Sequence, residues 1–106
     1  MRMIVLLRFG PQSMPDNPTR DWRAQKRAMI AELAASPEIG GELHDMFWTL
    51  GAYDVALYAE VRNPVAAHAF SLTLSRKLKA EHLALPALRD AEADPVFDVL
   101  EIRNGP

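Results

Sequence analysis

Two side chains near the middle of the chain could work together on a small molecule. The stretch LHDMFWTL (43–50) carries His44 and Trp48 four residues apart. On a strand of period two they share one face with Met46 and Leu50, while Leu43, Asp45, Phe47 and Thr49 take the other. The indole would be a stacking wall and the imidazole a proton acceptor near neutral pH. His82 could approach His44 if their strands were neighbours. Arg8 interrupts an apolar strand, and its planar fork suits a carboxylate or a phenolate. Tyr53 and Asp54 sit together at a chain reversal, and Asp54 would serve as a general base only if burial raised its pKa. Each has a plainer alternative. Trp48 would be core and His44 a strand-end residue, Arg8 would snorkel to water, and Tyr53 and Asp54 would finish a turn. Arg8, His44, Trp48, Tyr53, Asp54 and His82 are thus the ligand-binding candidates, and no catalytic residue is assigned. A two-histidine metal site would lack a third ligand, so no metal is expected.

These residues need elements to hold them. Residues 2–9 read as a strand apolar on both faces, with Met3, Val5, Leu7 and Phe9 opposite Ile4 and Leu6, so both faces need cover. GPQSMPDNP (10–18) holds three prolines and suits neither helix nor ladder. Thr19 can cap a helix running to about Ser36, with Asp21 in its first turn and Trp22, Met29, Ile30 and Leu33 on its apolar stripe. Pro37 and Gly40-Gly41 stop it. Residues 42–50 and 54–61 form two further strands. Asn63 and Pro64 then start a second helix to about Arg76, with Ala66, Phe70 and Leu74 spaced by four. Residues 78–85 form a fourth strand, stopped by Pro86. Val96, Phe97, Val99, Leu100 and Ile102 suggest one more strand after a charged loop. The order β-α-β-β-α-β is the split, ferredoxin-like arrangement of an antiparallel sheet with both helices on one side.

Composition excludes several functions. The 106 residues suffice for one domain, residues 1–106, with 49% hydrophobic and 25% charged residues. A formal net charge of -2 argues against a nucleic-acid partner. Zero cysteines exclude disulfides, thiolate nucleophiles and thiolate metal sites. The opening MRMIVLLRF is too short to span a membrane and lacks a signal-peptide cleavage site, so a cytoplasmic location is the default. No phosphate-binding glycine loop or nucleophile elbow is present. SRKLK (75–79) reads as a solvated basic helix end, and His68 as a half-exposed helical residue.

Gly51, Tyr53 and Asp54 also carry a resemblance. FWTLGAYDVALYAEVRNPVAAHAFSLTLS is similar to the GYD-domain family, whose hairpin has the pattern Gly-x-Tyr-Asp, and IVLLRF matches the family's first strand. The resemblance covers about residues 3–85; the Pro-rich connection and residues 86–106 depart from it. It implies a ferredoxin-like fold related to the dimeric α/β-barrel proteins, which pair two sheets face to face, and it implies no established reaction. A homodimer also answers the uncovered sheet face, since a large apolar patch is unusual on a monomer. Three functions follow: a small-molecule-binding homodimer without cofactor; a cofactor-independent monooxygenase or isomerase acting on a small aromatic or polyketide-like substrate; and a haem-binding protein, for which His68 is available.

Overall fold

The computed structural model describes residues 1–104. Strand β1 (Arg2–Phe9) leads through the irregular 10–18 connection to helix α1 (Arg20–Ala34). Strands β2 (Glu42–Trp48) and β3 (Val55–Glu60) form a hairpin, helix α2 (Pro64–Leu78) follows, and strand β4 (Ala80–Pro86) completes the sheet. A 3-10 turn, Asp90–Glu92, precedes helix α3 (Asp94–Asn104). The sheet order is β2-β3-β1-β4 and every pairing is antiparallel.

Local chemistry explains the helix starts. The Thr19 hydroxyl accepts from the Trp22 N–H at 3.1 Å, and the Asn63 amide oxygen from the Ala66 N–H at 2.8 Å. Each satisfies a donor that the first helical turn leaves without a partner. Lys79 ends α2 in the left-handed region, φ 50°, with its N–H on the Ser75 carbonyl. The chain there turns at once into β4, so α2 runs two residues past the expected end and β4 spans 80–86 rather than 78–85.

One face of the sheet is the core. Met3, Val5, Leu7 and Phe9 of β1 and Val55, Leu57 and Ala59 of β3 are buried beneath Ile30 and Ala34 of α1 and Ala66, Phe70, Leu74 and Leu78 of α2. The other face carries no helix. There Ile4 pairs across to Tyr58 and Leu85, and Leu6 to Ala56 and Leu83. Ile4, Phe47, Leu83 and Leu85 are all exposed.

Two expectations need correction. The 96–102 segment is helix α3, not a strand, and its Val96, Phe97, Val99, Leu100 and Ile102 are exposed. The apolar residues at 96, 97, 99, 100 and 102 satisfy a helical period as well as an alternation, and Pro95 in the first turn suits a helix start. The simple alternation of β2 also fails. The β2–β3 register shifts between Leu43 and Asp45, where the strand carries an extra residue, His44. Such a bulge returns Leu43 to the same face as Met46 and Trp48.

Two glycines differ in what they protect. At Gly51 (φ 114°) a Cβ would meet nothing, and only the backbone angle demands glycine. At Gly41 a Cβ would run into the Glu60 carbonyl, where the chain enters β2 against β3. Gly51→Ala should therefore cost on the order of 1 kcal/mol, and Gly41→Ala about 1–3 kcal/mol as overpacking against backbone. Urea denaturation of both variants checks the order; equal stabilities would contradict it.

Candidate functional site

A polar cluster lies at the end of the open face where β1 begins. Arg2 and Glu60 are register partners, and Arg2 Nε stands 3.4 Å from Glu60 Oε1. The same oxygen is 3.5 Å from His44 Nε2. The His44 ring leans on Tyr58, centroids 5.1 Å apart. The bulge puts His44 there: Glu42 pairs with Glu60 and Asp45 with Tyr58, leaving His44 as the extra residue between them.

Arg2 also holds Glu92 of the 3-10 turn in an ion pair. That bond to Glu92 is the main cause raising the Arg2 guanidinium above its usual pKa, and burial opposes it. The bond to Arg2 in turn holds the Glu92 carboxyl below the usual carboxylate range. Arg2, Glu60 and Glu92 line a cleft of about 550 Å³ with Met1, Pro86, Ala87 and Leu88. This is within the range of small-molecule sites. Beside it, the Tyr58 hydroxyl is shielded from water and has no hydrogen-bond partner among the described residues. A buried hydroxyl left so costs free energy until something bonds to it. The cluster thus offers a phenol, an imidazole within reach of a carboxylate, and a guanidinium. It can bind and orient an oxygen-bearing molecule, with the imidazole able to move a proton.

The candidates named from sequence are scattered. Trp48 faces the helices, stacked on Phe9 at 6.3 Å and tilted on Trp22 at 5.7 Å. It therefore shares no face with His44, and the pairing of those two is corrected by the bulge. His82 is opposite Leu7 on the core side of β4, at the far edge of the sheet from β2. It does not approach His44, and lines a groove with His68 and Ser71 of α2. Arg8 is ion-paired with Glu81 on the open face. Asp54 accepts the Phe9 N–H at 2.9 Å and its own N–H reaches the Leu7 carbonyl at 2.8 Å, so it clamps the hairpin to β1. The Tyr53 carbonyl accepts from the Thr49 hydroxyl at 2.6 Å, closing the turn. Arg2, Tyr58, Glu60 and Glu92 escaped the sequence reading. The polar side chains at 2, 58 and 60, all on the sheet's open side, were its available signal.

A four-stranded antiparallel sheet in the order β2-β3-β1-β4, with α1 and α2 on one face, is a ferredoxin-like α+β fold. The GYD domain model matches residues 4–96, and the chain belongs to that family. No curated protein matches it. Among solved structures, one described as a dimeric ferredoxin-like protein of unknown function from Thermobifida fusca is 24% identical. That match covers 82% of this chain and 89% of the other, with a TM-score of 0.46. No helix among the described residues is long and apolar enough to cross a membrane.

The depressed Glu92 pKa fixes the sign of a pH effect. Its stabilisation is full above the carboxyl's unfolded value and is lost as pH falls through the lower folded one. The protection factors of residues 87–93, each referred to the intrinsic exchange rate at the same pH, should fall at acid pH in the natural chain. In Glu92→Gln they should be lower at neutral pH and change less on acidification; identical profiles would contradict the role of the Arg2 pair.

Proposed function

We propose that the protein is a small-molecule-binding homodimer whose two sheets meet through their open faces, with the ligand held over Arg2, His44, Tyr58 and Glu60. The observation that carries this reading is the apolar face on which Ile4, Phe47, Leu83 and Leu85 are exposed around the half-buried Leu6. A sheet needs apolar cover on both sides, or polar residues on one, and here neither helix supplies the second cover.

The size of the chain supports a partner of the same kind. Its accessible surface is 7450 Å², against about 5,900 Å² for a compact monomer of its mass. Its radius of gyration is 16.1 Å, against about 13 Å for a compact chain of its length. Helix α3 exposes Val96, Phe97, Val99, Leu100 and Ile102, which would lie along the partner. At about 25 cal/mol per Å² of apolar surface removed from water, covering the face and the helix would favour the pair.

A second reading is favoured by the unpartnered Tyr58 hydroxyl beside His44. In it the ligand is a substrate, a small aromatic or polyketide-like molecule, and the protein is a cofactor-independent monooxygenase or isomerase. A turn of the Tyr58 ring would bring its phenol, shielded in this structure, to an enol or phenolate oxygen of the substrate while the imidazole takes a proton. Tyr58→Phe would then abolish turnover while weakening binding only severalfold.

Light scattering across a dilution series tests the dimer. The natural chain should have twice the mass of one chain at micromolar concentration, and Leu83→Asp should be monomeric. Truncation after Pro95 should weaken the dimer at least tenfold. A natural chain that stays monomeric at high micromolar concentration would contradict the reading. Native mass spectrometry of the purified dimer should reveal a bound small molecule that Tyr58→Phe retains less well.

A further inference from the structure

On the opposite side of the sheet, α1 presents three arginines to the edge strand. Arg20, Arg23 and Arg27 are spaced by three and four, so they share one face of the helix with Ala24. That face and Asp45, Met46 and Trp48 of β2 enclose a groove of about 320 Å³. Among the described residues none of the three guanidiniums is in an ion pair. Asp45, the groove's acid, has one carboxylate oxygen accepting the Met46 N–H at 2.8 Å.

Helix energetics alone would not choose this arrangement. Arg20 opens the helix and Arg23 follows within its first turn, where the macrodipole disfavours cations and favours an anion, and the single carboxylate of Asp21 between them offsets only part of that cost. The three positive charges also repel one another along one face. A bound anion would relieve both costs at once. Guanidinium forks suit phosphate oxygens, which accept paired hydrogen bonds from each.

The groove has an aromatic wall as well. Trp48 is held from beneath by a near-parallel stack on Phe9, interplanar angle 12°, and by Trp22. It remains 38% exposed. Trp48 lines the groove beside the arginines, so its exposed part offers a flat ligand ring an aromatic contact.

We propose that the α1–β2 groove binds a small phosphorylated ligand with a flat heteroaromatic ring, its phosphates on Arg20, Arg23 and Arg27 and its ring against Trp48. The groove lies on the helix-covered side, so pairing of the open faces would leave it accessible. The proposal does not depend on the dimer.

Isothermal titration calorimetry of the full chain with ADP, pyrophosphate and adenosine tests it. ADP should bind saturably, and adenosine and pyrophosphate each at least tenfold more weakly. The double variant Arg23→Gln, Arg27→Gln should lose tenfold or more in ADP affinity, and Arg20→Gln alone should lose severalfold. These side chains are exposed, and circular dichroism should show both variants folded. Trp48→Phe should weaken ADP more than pyrophosphate. No heat with millimolar ADP overturns the proposal. So does ADP affinity unchanged in the arginine variants, and so does pyrophosphate binding as tightly as ADP.

Discussion

A β-strand presents two faces, and this chain brings helices to only one of them. Strand β1 sits between β3 and β4, hydrogen-bonded on both sides, and carries apolar residues in both directions. Met3, Val5, Leu7 and Phe9 find α1 and α2. Ile4 finds no cover within the chain and Leu6 is only half-buried, while Phe47, Leu83 and Leu85 around them are exposed. The hydrophobic effect does not distinguish cover from one's own chain and cover from another. The fold is closed on one side by its sequence order and open on the other for the same reason, since both connections that carry helices cross the same face.

The position of the polar cluster follows from that openness. Arg2, Tyr58 and Glu60 point to the open side because their neighbours in the strands are committed to the core. His44 joins them through the extra residue in β2. Without the bulge, His44 would stand on the helix side with Trp48. The Arg2–Glu92 pair then ties the segment after β4 across the end of the cluster and gives the cleft its outer wall. On the helix side, Asp54 fastens the hairpin to β1, which holds Trp48 in place at the α1 groove.

Much of the fold was legible because each element carried its own punctuation. Thr19 and Asn63–Pro64 announced the two core helices, and the three prolines between 10 and 18 announced an irregular connection. The Gly51–Tyr53–Asp54 turn read both as a hairpin and as a family mark. The bulge was not legible, since nothing in LHDMFWTL tells an extra residue from a regular alternation. Helix α3 was missed for a different reason. VFDVLEI fits both periods, and Asp94–Pro95 is the same kind of start that Asn63–Pro64 provides. The site was least legible of all, because it depends on cross-strand register: Arg2 meets Glu60 only through pairing fifty-eight residues apart.

The proposed meeting of two open faces can be read directly as a distance between chains. The chain has no cysteine, so a single Glu42→Cys variant carries one spin label per protomer, on an exposed residue at the edge of the open face. Double electron–electron resonance then reads only distances between chains. A dimer joined face to face predicts a narrow distance distribution, broadened or lost when Leu83→Asp is added. A featureless background decay from the singly labelled protein at high micromolar concentration would contradict it.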